Sequence, residues 1–159
     1  MNFRGFKYNS KGRLCCEHLE LNEIAKSYGT PLYVYSGESI EEAYNDLNHS
    51  LSSTSTEINF ALKANSTIGI LSLLSNLGAG ADIVSGGELK RALHANIHPS
   101  KIVFSGVGKT TEEIKLAINN DIKQINAESY PEIDNIINIA KSLKKIAPVA
   151  IRVNPNIRD

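Results

Sequence analysis

The sequence predicts an α/β fold built on parallel strands, and three observations predict it. From residue 57 onward, strand-like runs alternate with helical patterns at a period of about 20–25 residues, as βαβ units do. Three helix starts carry capping-box spelling directly after a strand: Ser85-x-x-Glu88, Thr110-x-x-Glu113 and Ser129-x-x-Glu132, the last with Pro131 in the first turn. Charged residues also stand at the carboxyl ends of the runs, where parallel α/β folds collect ligands: Lys63, Asp82, Glu128 and Arg152.

The elements follow in order. Between residues 14 and 28, Leu19, Leu21, Ile24 and Ala25 recur in a helix-like pattern that stops at Gly29-Thr30-Pro31. Leu32-Tyr33-Val34-Tyr35 reads as a strand from its β-branched and aromatic content. After a Ser36-Gly37-Glu38-Ser39 turn, Ile40, Ala43, Tyr44 and Leu47 predict a helix, and residues 52–56 a polar loop. Strands are then expected at 58–62, 81–84, 102–104, 124–127 and 149–153. The helices between them are marked by Ile68, Leu71, Leu74 and Leu77, ending at Gly78, then by Leu89, Ala92 and Leu93. Ile114, Ala117 and Ile118 mark the next, and Ile133, Ile136, Ile137 and Ala140 the last, whose Lys141, Lys144 and Lys145 read as a solvated face. Such a sheet is either open and doubly wound or part of a closed eight-stranded barrel. A full barrel takes about 250 residues, so five strands suit a small open sheet or a piece of a longer protein.

Composition removes several function classes. The chain has 159 residues, with 17 Lys+Arg against 17 Asp+Glu. Zero net charge and no basic cluster give no electrostatic footprint for nucleic acid. No apolar run approaches the roughly 20 residues of a membrane span, and Met1 to Lys7 lacks the apolar core of a signal peptide. A cytoplasmic location is therefore expected. Cys15 and Cys16 are adjacent and the only cysteines, which suits neither a disulfide framework nor a CxxC motif.

At the strand ends, alternation separates two faces. Ile58, Phe60 and Leu62 share an apolar face, while Asn59, Ala61 and Lys63 share the other. The fifth strand mirrors this, with Val149, Ile151 and Val153 opposite Ala150 and Arg152. Two cations thus project from small-residue faces. A buried lysine there suits Schiff-base chemistry, because burial frees its amine; a Lys–Asp–Arg ion network stapling the strand ends explains the pattern equally well. Other motifs carry less. Ser105-Gly106-Val107-Gly108-Lys109-Thr110 has Val103 where a Walker A loop needs glycine. Gly78-Ala79-Gly80 precedes its strand and has Ile83 in place of the third glycine of a dinucleotide fingerprint. His94 and His98 have no accompanying carboxylate, so no metal site is expected.

Phe60-Ala61-Leu62-Lys63-Ala64-Asn65 resembles the cofactor-lysine motif of the fold-type III pyridoxal 5′-phosphate (PLP)-dependent decarboxylases, the alanine racemase-like barrels. Four further segments resemble that family, in order: Gly29-Thr30-Pro31-Leu32-Tyr33-Val34-Tyr35, residues 78–89, residues 102–109, and Ile151-Arg152-Val153-Asn154-Pro155. The resemblance implies a partial (β/α)8 TIM barrel over residues 36–159. It implies that residues 1–35 form a segment which, in the family, joins a β-rich second domain. Lys63 matches the lysine that carries PLP, and Asp82 and Arg152 match positions beside the cofactor. Ser85 and Glu88 lie in a matching loop where a helix cap explains them equally well, and Glu128 is read as structural.

Residues 85–89 and 104–109 are similar to the branch of the family that converts meso-2,6-diaminopimelate to L-lysine and carbon dioxide. That activity, with an amino-acid substrate and a homodimer in the full-length protein, is what the resemblance implies. Another amino-acid decarboxylase of the ornithine or arginine type, or a racemase, keeps the same fold. A non-catalytic PLP-binding fragment or subunit-interaction homologue is the reading from another class. The chain is expected to be about five-eighths of a barrel. The histidine that stacks on the cofactor ring, the glycine-rich phosphate loop and the partner subunit's Cys-Glu pair are absent from it. An inactive fragment with an unclosed sheet edge is therefore expected.

Overall fold

Short β-branched and aromatic runs cannot satisfy their own backbone groups, so each strand here exists through its neighbours. The computed structural model describes residues 4–155 and 157. The chain divides into two compact units, Met1–Thr56 and Glu57–Asp159.

In the first unit, β1 (Phe6–Tyr8), β2 (Leu14–Cys16) and β3 (Leu19–Glu20) form an antiparallel sheet in that order. Helix α1 spans Leu21–Tyr28 and α2 spans Gly37–Ser50. The helix expected from residue 14 thus begins only at Leu21. Leu14–Cys16 pairs with β1 on one side and β3 on the other, and Glu17 turns the chain with φ 55°. Cross-strand pairing wins over helical periodicity. The strand expected at residues 32–35 is irregular instead, because no strand lies beside it among the described residues, and Tyr33 is exposed.

The expected helix over residues 40–47 is present and longer. Ser36 caps it by accepting from the Ser39 N–H, so the anticipated turn is the first turn of α2. Glu17 accepts from the Glu38 N–H at 3.0 Å and the Ser36 hydroxyl at 2.9 Å, which hold its carboxyl below the usual range.

The second unit contains all five expected strands: β4 (Asn59–Ala61), β5 (Gly80–Ile83), β6 (Ile102–Phe104), β7 (Gln124–Ala127) and β8 (Val149–Ile151). They pair in parallel in the order β4-β5-β6-β7-β8. A doubly wound sheet reverses its strand order at a switch point; this one does not. Helices α3 (Ile68–Leu77), α4 (Gly86–His94), α5 (Thr111–Asn119) and α6 (Tyr130–Leu143) fill the connections, with a 3-10 turn at Pro99–Lys101. Gly78 ends α3 in the left-handed region at φ 97°, as expected.

Register alternation gives the sheet two unlike faces. Leu62, Ala81, Ile83, Ile102, Phe104, Ile125 and Ala127 lie on one face, buried with Leu71, Leu89, Ile114 and Ile136 from all four helices. The opposite face carries Asn59, Ala61, Gly80, Asp82, Val103, Gln124, Asn126 and Ala150, which the ladder register places side by side. One-sided helical cover is what a barrel wall requires. Over β8 the cover is incomplete: Val149 is 41% exposed and Ile151 70%. No helix among the described residues is long and apolar enough to cross a membrane.

All three predicted caps form at the N-cap side chain: Ser85, Thr110 and Ser129 each accept from the N–H three residues on. Only Thr110–Glu113 closes the reciprocal box. Glu88 and Glu132 reach one residue further back, to the N–H groups of Val84 and Glu128, both at 2.7 Å.

Glu113 does more. Its Oε1 accepts from the Gly86 N–H at 2.8 Å while Oε2 accepts from the Thr110 N–H at 3.0 Å, so one carboxylate serves two helix starts. The Gly86 N–H, then the Thr110 N–H, hold this carboxyl below the ordinary glutamate value of 4.5. A depressed folded value means the unfolded chain binds the proton first as pH falls. Glu113 therefore stabilises the fold fully above 4.5, and this contribution disappears as pH drops through the lower folded value. Glu113→Gln is expected to flatten the acid limb of stability against pH, measured by urea unfolding at stepped pH. An unchanged acid slope would show that the carboxylate charge contributes nothing.

Candidate active site

The polar face of the sheet is where chemistry is available. Lys63 lies in the turn that follows β4, two residues past Ala61 on the same face. Ala61 is the ladder partner of Asp82, and the Leu62 N–H donates to the Asp82 carbonyl at 3.0 Å. Lys63 and Asp82 thus stand at adjacent strand ends. The Lys63 side chain is exposed, and no hydrogen bond or ion pair engages its amine among the described residues.

Asp82 instead takes part in a polar chain. Its Oδ1 accepts from the Ser105 hydroxyl at 2.5 Å, Ser105 Oγ accepts from Asn126 Nδ2 at 3.0 Å, and Asn126 Oδ1 accepts from Gln124 Nε2 at 2.8 Å. Arg152 follows β8, anchored through its N–H to the Ala127 carbonyl at 2.9 Å. Its guanidinium meets Glu128 at 3.3 and 3.4 Å.

Two expectations are corrected here. Neither cation is buried: Lys63 is exposed and the Arg152 side chain is 61% exposed. Lys63 lies in a turn and Arg152 in irregular backbone, both beyond the last ladder pair of their strands, with no further strand facing them among the described residues. The Lys–Asp–Arg network does not form either, because Ser105 takes Asp82 and Glu128 takes Arg152.

Sequence reasoning missed a second cluster. The Lys109 side chain is 1% exposed, and its ammonium donates to the Gly106 carbonyl at 2.6 Å, the Asn126 carbonyl at 2.7 Å and Glu132 Oε1 at 2.9 Å. It also lies 5.5 Å from the centre of the Phe104 ring. Glu128 accepts from the Gly106 N–H at 2.9 Å, so this cluster links the ends of β6 and β7 to Arg152. The signal was a lysine five residues after a strand, inside a loop with two left-handed glycines, Gly106 and Gly108. A cleft of about 370 Å³ over Lys109 and Glu132 lies alongside. None of Lys63, Asp82 and Arg152 lines it, so it is adjunct to the strand-end site.

His98 bonds Ser100 through Nδ1 at 2.8 Å, and among the described residues no group of three His, Cys, Asp or Glu could hold a metal ion. Glu88 serves the start of α4, with Ser85 as its cap.

The residues fit an aldehyde cofactor of the pyridoxal type. The site offers a primary amine committed to no acceptor, an anionic neighbour at the adjacent strand end, and the small Ala61 side chain, the ladder partner of Asp82, in place of a bulky one.

Comparison with known proteins agrees. The chain is 45% identical over 152 residues to the diaminopimelate decarboxylase of Vibrio cholerae, covering 96% of this chain and 36% of that protein. The structure superposes on the diaminopimelate decarboxylase of M. jannaschii with a TM-score of 0.90 at 39% identity, covering 98% of this chain and 37% of that one. It also superposes on the Helicobacter pylori diaminopimelate decarboxylase complexed with L-lysine, with a TM-score of 0.84 at 44% identity, covering 87% and 35%. The chain therefore spans just over a third of the length of these relatives, and its α/β sheet corresponds to the N-terminal part of their barrel. The family profile for pyridoxal-dependent decarboxylases, pyridoxal binding domain, matches residues 37–159. By that match the chain belongs to the pyridoxal-dependent decarboxylases and carries their pyridoxal-binding domain.

Proposed function

We propose that these residues form the cofactor-lysine part of an enzyme that decarboxylates meso-2,6-diaminopimelate to L-lysine. The single observation that carries the reading is the uncommitted Lys63 amine at the end of β4, beside Asp82. Lys63 would hold PLP covalently, and Asp82 and Arg152 would flank it. Once bound, PLP supplies an electron sink for the carbanion left when carbon dioxide departs. Asp82 and Arg152 then present opposite charges on one rim, suited to orienting a zwitterionic amino acid. The substrate assignment is supported by the names of relatives at 42–48% identity and by the L-lysine complex of one of them. Turnover, the homodimer and the cytoplasmic setting belong to the longer protein; residues 1–159 alone are assigned cofactor attachment without turnover. Residues 1–35 are assigned to the segment that joins a β-rich second domain.

The test begins with PLP, borohydride reduction and peptide mapping. Label is expected on Lys63 and absent from Lys63→Ala; label elsewhere, or none, removes the cofactor assignment. In the longer protein Lys63→Ala is expected to lose decarboxylation, by about 10³-fold or more. Carbon dioxide release from diaminopimelate, but not from ornithine, arginine or lysine, is the expected substrate pattern.

A further inference from the structure

The hydrogen-bond chain ending on Asp82 has a direction. An ionised carboxylate only accepts, so the single Ser105 hydroxyl proton must go to Asp82 Oδ1, 2.5 Å away. Ser105 Oγ is then left as an acceptor and meets the Asn126 amide nitrogen at 3.0 Å. That orientation turns Asn126 Oδ1 toward the Gln124 amide nitrogen at 2.8 Å. Every donor in the row points toward Asp82. The row crosses β5, β6 and β7, which their own ladders already hold together. A strand staple needs no such order, and valine or isoleucine would serve a sheet face better.

We propose that Ser105 and Asn126 are positioning residues that fix the Asp82 carboxylate beside Lys63. The proposal rests on the reading of Lys63 as the cofactor lysine. Oδ1 is committed to Ser105, while Oδ2 has no hydrogen bond among the described residues. A carboxylate held in one rotamer places its negative charge in one place, and a fixed anion favours the protonated form of a neighbouring nitrogen. Ser105 and Asn126 thereby set the pH range in which the Lys63 nitrogen keeps its proton once PLP is attached.

The experiment uses PLP-loaded protein and follows the absorbance of the bound pyridoxal group against pH. Ser105→Ala and Asn126→Leu are expected to lower the titration midpoint by about one unit. Ser105→Thr, which keeps the hydroxyl, is expected to stay at the parent value. Lys63 labelling by borohydride is expected to persist in all three. Unchanged midpoints in the alanine and leucine variants, or a threonine variant shifted as far as alanine, would overturn the proposal. A second measurement needs no cofactor: exchange of the Asn126 side-chain amide protons by NMR. Ser105→Ala is expected to speed that exchange about tenfold, and an equal rate in parent and variant would show that the chain does not form. Should the parent fail to label at Lys63, the cofactor assignment falls, while the exchange result still decides the hydrogen-bond chain.

Discussion

Lys109→Met is expected to destabilise the second unit by about 3–5 kcal/mol, because it breaks a buried ion pair from one side. The Lys109 and Glu132 side chains are 1% and 10% exposed. Methionine fills the space of the lysine stem but donates nothing. It leaves the Gly106 and Asn126 carbonyls and one Glu132 oxygen without their donor. A typical domain has only about 5–15 kcal/mol in total, so the midpoint of urea unfolding should fall far enough to be unmistakable. Glu132→Gln is expected to cost less. It keeps an oxygen for one of its two donors, the Lys109 ammonium or the Glu128 N–H, and loses the charge and the other acceptor. If Lys109→Met cost under about 1 kcal/mol, the ammonium would be no more than a surface-grade pair, and its role in holding the β6 and β7 ends would be gone.

Gly80→Ala is expected to cost about 3 kcal/mol or more through overpacking. A Cβ there would stand 2.0 Å from Asn59 Oδ1 and 2.4 Å from the Lys101 carbonyl. The asparagine can swing aside. The carbonyl cannot, since Lys101 leads directly into β6 and main chain has to move. The missing side chain at Gly80 is what lets β4, β5 and β6 approach at their amino ends. Gly69→Ala is the control: it sits in α3 with nothing within 4 Å of its would-be Cβ. A gain of about 0.5–1 kcal/mol is expected there. Thermal unfolding of both variants checks the pair, and similar small changes at both positions would show that the contacts around Gly80 relax without cost.

Much of the second unit was legible because each of its strands announces itself locally. Phe60 and Leu62 alternate with Asn59 and Ala61, and the glycine at 78 and the boxes at 85, 110 and 129 mark helix ends by residue type. The first unit was less legible. Leu14–Cys16 is a strand only because β1 and β3 flank it, information that resides in pairing and not in its own three residues. Residues 32–35 carry strand chemistry without a partner among the described residues. At the site, alternation placed Lys63, Asp82 and Arg152 at strand ends, but their partners depend on register. Ser105 reaches Asp82 because β6 aligns Val103 with Asp82, and Asn126 reaches Ser105 because β7 aligns Ile125 with Phe104. No spacing in the sequence encodes those offsets.

The two glutamates that reach back past their caps have a thermodynamic consequence for binding. By holding the Val84 and Glu128 N–H groups, Glu88 and Glu132 start a helix and stop the preceding strand with the same side chain. The junctions that border Asp82 and Arg152 are thereby ordered before any ligand arrives. Ordering a loop on binding costs conformational entropy, and that cost is subtracted from affinity. Here most of it is met during folding, so the rim can spend its contacts with a small charged molecule on holding that molecule rather than on arranging itself.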